Sequence, residues 1–110
     1  MSIHHKLLAD GRWFQLSLVE QMANIGSEVE RALSWKGKNN DPFSRNAFER
    51  ALELMDFTLG DRKNANRLKE VARVRETIVD YFAGSNEFSS TEASFKKYFY
   101  YFAYASRRNR

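Results

Sequence analysis

The stretch FQLSLVEQMANIGSEVERAL, residues 14–33, decides the fold class. Its apolar residues recur at steps of three and four positions: Phe14, Leu18, Met22, Ile25, Val29 and the pair Ala32/Leu33. That spacing places them on one face of an α-helix, whereas a half-buried strand would alternate every second residue. The segment therefore predicts an amphipathic helix over about residues 12–36, which buries this face against other elements.

Three further segments repeat the helical pattern, and short breaks separate them. We predict the corresponding helices over about residues 42–59, 64–83 and 91–107. Because short connections favour antiparallel neighbours, the predicted fold class is all-α, an antiparallel up-down four-helix bundle. A single domain, residues 1–110, fits a chain of this length, and residues 3–8 are expected to add a short helical turn before the bundle.

Particular residues mark the expected helix ends and contacts. Asp41 is predicted to cap the second helix, with Pro42 at its first helical position. Gly84 is expected to end the third helix in the left-handed conformation. Gly26 lies inside the first helix, where glycine costs about 1 kcal/mol relative to alanine, and predicts either a close helix contact or a slight bend.

The composition is that of a globular protein with a restricted chemistry. Hydrophobic residues make up 43% of the chain and charged residues 29%, a balance that supports one buried core. The chain has no cysteine, which excludes a disulfide framework, a thiolate metal site and a cysteine nucleophile. The two histidines, His4 and His5, are adjacent and cannot share one helix face, so no metal site and no cofactor are expected.

The sequence also gives an expectation for location. The longest apolar run, residues 98–105, is far shorter than the about 20 residues that cross a bilayer. The first residues lack the pattern of a signal peptide. We therefore expect a soluble, cytoplasmic protein without a membrane partner.

The net charge of +4 is concentrated at the C-terminal end. From Glu92 onward that carboxylate is accompanied by the cations Lys96, Lys97, Arg107, Arg108 and Arg110. Five cations less one carboxylate give +4, so residues 1–91 balance to zero. This distribution predicts either an anionic partner or a helix end that complements its own dipole and aids solubility.

Arg75 interrupts the apolar face of the predicted third helix. On a helical wheel it lies near the middle of the arc formed by Leu68, Val71, Ala72, Ile78, Val79 and Phe82. An unpaired arginine buried there would cost several kcal/mol, so a buried ion pair with Glu28 or Asp56 is expected. Two alternatives are a side chain that runs along the core to the surface, and a small-molecule or nucleotide site in the bundle core.

The outer face of the last helix carries more aromatic surface than a plain bundle requires. Opposite its core residues lie Lys97, Tyr100, Tyr101, Tyr104, Arg107 and Arg108. Tyrosine and arginine are enriched in protein interfaces, so we predict a homodimer contact here. The alternatives are a nucleic-acid surface, with tyrosines stacked on bases and cations on phosphates, and a helix that is buried on both sides.

The segment RVRETIVDYF, residues 73–82, resembles the late-helix signature of the HEPN superfamily. Arg75 matches the arginine of that signature, Asp80 occupies the position of its histidine, and Tyr81 or Phe82 matches the aromatic residue that follows. The resemblance implies a small helical bundle that dimerises, and in many members an RNase of a toxin–antitoxin pair or the partner of a nucleotidyltransferase. Asp80 departs from the signature, because an aspartate at neutral pH is an anion and not a proton donor.

These observations lead to two functional hypotheses. The first is a protein that acts by protein–protein interaction, as a homodimer on a HEPN-like scaffold and without catalysis. The second is an RNA-binding protein or a divergent HEPN-like RNase of a toxin system, with Arg75, Asp80 and Tyr81 as the candidate catalytic residues.

Overall fold

The computed structural model describes residues 11–108, which form four α-helices and two short 3-10 turns. The α-helices are α1, Leu18–Gly37; α2, Asp41–Leu59; α3, Leu68–Ala83; and α4, Glu92–Arg108. One 3-10 turn, Trp13–Gln15, precedes α1, and the other, Arg62–Arg67, leads into α3. The predicted turn over residues 3–8, together with His4 and His5, lies outside the described residues.

The prediction of an all-α, antiparallel up-down bundle is confirmed. The Ser44 hydroxyl at the start of α2 donates to the Ala32 carbonyl near the end of α1 at 2.9 Å, so these two helices run in opposite directions. On the other side of α1, Phe99 of α4 lies against Gly26. Helix α1 packs most extensively, against both α2 and α4, whereas α3 packs chiefly against α2.

The first helix begins later than predicted, because Ser17 stops it from extending further back. The Glu20 amide donates to the Ser17 hydroxyl at 3.1 Å, and the Ser17 amide donates to the Glu20 carboxylate at 3.0 Å. This reciprocal arrangement is a capping box, which satisfies two backbone donors at a helix start. The predicted helical residues before it form the 3-10 turn instead, and Trp13 buries its side chain there.

The other predicted helix ends need three corrections. Asn40, not Asp41, caps α2, since its side-chain oxygen accepts from the Phe43 amide at 3.1 Å. The first residues of the predicted third helix form the 3-10 turn Arg62–Arg67. Gly84 ends α3 at φ −109°, not in the left-handed region, because the Asp80 carboxylate organises the following loop by accepting the amides of Glu87 and Phe88.

Gly26 marks the closest approach between α1 and α4. A Cβ atom built on Gly26 would lie 2.8 Å from the Cβ of Phe99, a distance that would require one helix to move. The prediction of a close helix contact at this glycine is therefore confirmed. It allows the Phe99 ring to sit on the α1 backbone within the core.

Helices α1 and α2 contribute many buried side chains to the core, whereas α3 contributes few. Of the apolar residues predicted to form the buried stripe of α3, only Val71 and Ile78 are buried, while Leu68 is 39% exposed. Val74 and Phe82 are partly buried and pack against the edge of the core. Helix α3 thus leaves an open cleft on the side that faces α4.

Candidate interaction surface

The outer face of α4 presents three large aromatic side chains to solvent. Tyr100 is 63% exposed, Tyr101 is 62% exposed and Tyr104 is 49% exposed. The alternative that α4 is buried on both sides is therefore wrong, because only its inner residues Phe95 and Phe99, together with Phe102, are buried within this chain. We refer to the set Lys97, Tyr100, Tyr101, Tyr104, Arg107 and Arg108 as the tyrosine face.

The tyrosines of this face are partly ordered by contacts with one another. The Tyr100 and Tyr104 rings lie one helical turn apart, with centroids at 6.3 Å and planes inclined by 22°. Tyr101 packs edge-on against Phe102 at 5.1 Å. Tyr100 lines a groove between α4 and α1, whereas Tyr101 lines one between α4 and α3, so the aromatic surface spans the whole outer width of α4.

The cations of the tyrosine face have no carboxylate partner in the described part of the chain. Lys96, just beside the face, forms an ion pair with Glu92 at 3.0 Å. Within residues 11–108, Lys97, Arg107 and Arg108 form no salt bridge, and all three are exposed. The basic character predicted for the C-terminal end is therefore available to a ligand or partner on this surface.

Arg75 lies at the edge of the bundle and not within its core. Its Nε donates to Asp56 Oδ1 at 2.8 Å, which joins α3 to α2. Asp56 was one of the two predicted partners, so the ion pair itself is found. The two side chains are 34% and 55% exposed, however, so the expectation that the pair is buried is wrong. Arg75 is exposed because the apolar residues around it on α3 are themselves mostly only partly buried.

Glu28, the other expected partner of Arg75, is engaged elsewhere. It is buried and accepts a hydrogen bond from Arg50 Nε at 2.6 Å, and it also pairs with Arg31. This cluster joins α1 to α2. Two arginines compensate the Glu28 charge, which is what burial of a carboxylate requires.

The three candidate catalytic residues do not converge on one site. Arg75 faces Asp56 on α2, and both carboxylate oxygens of Asp80 accept backbone amides of the loop after α3. The Tyr81 ring packs edge-on against Phe95 at 5.1 Å, and Lys36 Nζ lies 4.6 Å from its centroid. Each side chain has its own partners, and within one chain they point in different directions.

A buried polar cluster that the sequence reading missed lies at the end of the bundle where α1 begins. Gln21 is its centre: its amide nitrogen donates to the Trp13 carbonyl at 3.0 Å and to Asp61 Oδ2 at 2.9 Å. Asn64 donates to the Gln21 side-chain oxygen at 2.9 Å, and the Trp13 indole donates to the Thr58 hydroxyl at 3.0 Å. These hydrogen bonds connect both 3-10 turns to α1 and α2.

Asp61 is the acidic member of this polar cluster, and Lys63 forms an ion pair with it. Burial alone disfavours its charged form, but hydrogen bonds from Lys63 and Gln21 outweigh that penalty and lower the pKa of Asp61 below its ordinary value. The sequence signal was weak, because Gln21 and Asn64 become buried partners only when residues far apart in the chain meet. Full satisfaction of these polar groups marks a structural role.

The cleft between α3 and α4 encloses about 280 Å³. Val74, Phe95 and Tyr98 contribute its apolar surface, and Glu70 and Arg73 lie at its rim. The Tyr98 hydroxyl donates to Glu70 Oε2 at 3.0 Å. Burial, with the Glu70 carboxylate next to it, raises the pKa of Tyr98 well above its ordinary value, so this hydroxyl stays a donor.

The described residues carry neither a metal site nor a membrane span. Across residues 11–108, no group of three or more histidine, cysteine or acidic side chains is arranged to hold a metal ion. In the same range, no helix is both long and apolar enough to cross a membrane. No protein-family model, curated protein or solved structure matches this chain.

Proposed function

We propose that this protein is an interaction module that self-associates as a homodimer through the tyrosine face. The observation that carries the proposal is the row of exposed tyrosines, Tyr100, Tyr101 and Tyr104, on one helix. A tyrosine can bury about 150–250 Å², so their exposed parts amount to roughly 350 Å². A standard interface buries about 800 Å² on each partner, and these rings would supply its centre.

Charge symmetry along α4 favours a second copy of this chain as the partner. The positions Glu92, Lys96, Tyr100, Tyr104 and Arg108 form one row at four-residue steps, with Tyr100 at its midpoint. If two α4 helices cross antiparallel at Tyr100, then Glu92 faces Arg108 of the partner subunit and Lys96 faces Tyr104 of the partner subunit. Rows at four-residue spacing interdigitate in the commonest class of helix packing. The pairing offers ion pairs and cation–π contacts without opposing like charges.

Light scattering tests this proposal on the full chain. We expect a dimer for the wild type, and a folded monomer for the triple variant Tyr100→Ser/Tyr101→Ser/Tyr104→Ser. Phe88→Ser is the matched control, because Phe88 is 52% exposed but lies outside the tyrosine face, and it should remain dimeric. A wild-type protein that stays monomeric at high micromolar concentration would refute the homodimer.

Single-stranded RNA is a second candidate ligand of the same face. The specific observation is that Lys97, Arg107 and Arg108 stand beside the tyrosines without carboxylate partners among residues 11–108. Bases would stack on the rings and phosphates would meet the cations. Fluorescence anisotropy with a labelled oligonucleotide should then show affinity that falls steeply with salt, and no binding at low salt would reject this function.

The proposal contains no catalytic step. Arg75, Asp80 and Tyr81 have separate partners within the chain, so the HEPN resemblance contributes the expectation of a dimeric scaffold and not of an RNase. A nucleotidyltransferase, as implied by that resemblance, remains a predicted protein partner. Size-exclusion chromatography with such a protein would detect the complex as a shift to larger mass.

A further inference from the structure

The cleft between α3 and α4 combines an apolar surface with a cation, Arg73, that forms no salt bridge among the described residues 11–108. We propose that it binds a small anionic ligand with an apolar body, of the class of aryl- or alkyl-carboxylates, whose carboxylate pairs with Arg73. None of the residues that line the cleft belongs to the tyrosine face, although the neighbouring groove that Tyr101 lines shares Glu70, Ser94 and Tyr98 with it. All the contacts proposed for the ligand come from one chain, so the proposal does not require a dimer.

The apolar part of the ligand would contact three side chains. Phe95 is 5% exposed and belongs to the core, so its ring edge is held firmly in place. Val74 and Tyr98 are partly buried and pack against the same core from the two opposite helices. A flat or extended apolar group placed between them would be enclosed on both sides, which is typical of small-molecule pockets.

The charges at the rim select an anion. Glu70 is already engaged by Arg67 Nε at 2.7 Å and by the Tyr98 hydroxyl at 3.0 Å, so its negative charge is compensated. Arg73 is exposed and forms no salt bridge within residues 11–108, in contrast to Arg75, which pairs with Asp56. The uncompensated charge at the cleft is therefore positive, and a carboxylate can form a bidentate pair with it.

The size of the cleft indicates a small molecule and not a chain. Its volume of about 280 Å³ is slightly below the range of ligand pockets, which run from about 300 to 1,000 Å³. A helix or a nucleic-acid strand would exceed that space. One side is open to solvent, so the carboxylate can stay hydrated at the rim while the apolar body enters.

Ligand binding should also stabilise the fold, because α3 has little buried surface of its own. Only Val71 and Ile78 of this helix are buried, and an occupied cleft would cover more of Val74. A ligand that binds the folded state alone raises the melting temperature, and the rise grows with the logarithm of the free ligand concentration once that exceeds the dissociation constant. This gives a direct readout that requires no assumption about activity.

The test compares phenylbutyrate with its uncharged amide at matched ionic strength. We expect the acid to raise the melting temperature of the full chain clearly more than the amide does. Arg73→Gln should reduce the effect of the acid to that of the amide. Arg62→Gln is the matched control, since Arg62 is an exposed cation outside the cleft, and it should keep the full difference.

A second variant and a second measurement locate the site. Val74→Phe should fill the cleft and remove the response to both compounds, while circular dichroism shows that the bundle remains folded. Amide chemical shifts should change at Val74, Phe95 and Tyr98 when the acid is added. Equal responses to acid and amide, a difference that survives Arg73→Gln, or no response to either compound up to its solubility limit would each overturn the proposal.

Discussion

Tyr98 and Glu70 join α4 to α3 across the open side of the bundle. The tyrosine hydroxyl donates to the Glu70 carboxylate at 3.0 Å, while Arg67 holds the other carboxylate oxygen from the opposite side. This bond closes one end of a cleft that apolar packing does not fill. It gives α3 a polar attachment in a region where its buried surface is small.

Removal of this attachment should destabilise the protein modestly. We expect Tyr98→Phe to lower the free energy of unfolding by about 1 kcal/mol, the usual worth of one hydrogen bond, because the ring itself still packs. Chemical denaturation monitored by circular dichroism measures the change. Tyr101→Phe is the control, since Tyr101 is 62% exposed, and a loss as large as that of Tyr98→Phe would contradict the assigned role.

Substitution of Gln21 in the buried polar cluster should lower the stability of the protein strongly. Gln21→Ala leaves the buried groups of Asp61 and Asn64 without one partner each, so we expect a loss of about 2–3 kcal/mol. Asn24→Ala is the control on the same helix, because the Asn24 side chain is exposed and donates to the Glu20 carbonyl, with no bond to the polar cluster in the described part of the chain. Thermal denaturation distinguishes the two variants, and equal losses would refute the structural role of the cluster.

Acid should weaken the fold through Asp61. The folded-state pKa of Asp61 lies below its unfolded value, so its contribution to stability is fully present above the unfolded pKa of about 4. That contribution is lost as the pH falls from there through the folded pKa, because the carboxylate then takes up a proton. Asp61→Asn should be less stable at neutral pH and should lose less stability below pH of about 4. Urea unfolding at several pH values checks this, and an unchanged acid dependence would contradict it.

Gly26→Ala should destabilise the protein although alanine favours helices. The added Cβ would lie 2.8 Å from Phe99 Cβ, so α1 and α4 must separate at the centre of the core. We expect the cost to exceed the gain of about 1 kcal/mol in helix propensity. Gly37→Ala is the matched control, since nothing lies within 4 Å of a Cβ there, and it should be neutral or stabilising. The denaturant midpoints of the two variants measure these effects, and a Gly26→Ala midpoint at or above that of the wild type would contradict the prediction.

A single cysteine can test the register of the proposed homodimer. The chain has no cysteine, so Tyr100→Cys introduces the only thiol. If two α4 helices cross at Tyr100, mild oxidation should join the two copies by a disulfide, since the two Cα atoms would lie near the symmetry axis. Phe88→Cys, on the loop before α4, should not form this link. A dimer in solution without cross-linking at position 100 would move the contact elsewhere on the surface.

Local sequence patterns predicted the number, order and approximate span of the helices. The three- and four-residue spacing along residues 14–33 places one apolar face on a helix in any compact fold, because that geometry belongs to the helix alone. The short connection after α1 then leaves little choice but an antiparallel neighbour. Helix ends were less predictable. Several neighbouring polar residues could accept the free backbone amides of the first turn, and the sequence does not show that Ser17 and Asn40 are the ones that do.

The composition of the tyrosine face was also visible in the sequence, because residues on one side of a helix follow from helical periodicity. The exposure of this face could not be predicted, since whether a helix face is buried depends on how the other helices pack against it. The same holds for Arg75, which lies at a bundle edge because α3 is thinly covered. Glu28 pairs with Arg50 because α2 packs there and α3 does not.

The sequence by itself determined an all-α bundle with an aromatic and basic last helix, because helix formation and amphipathicity depend on residues a few positions apart. Only the tertiary structure decided which side chains meet. The Gln21 cluster, the contact of Gly26 with Phe99 and the open cleft beside Val74 each join residues that are distant in the chain. Such contacts depend on the packing of whole helices, which no local pattern specifies.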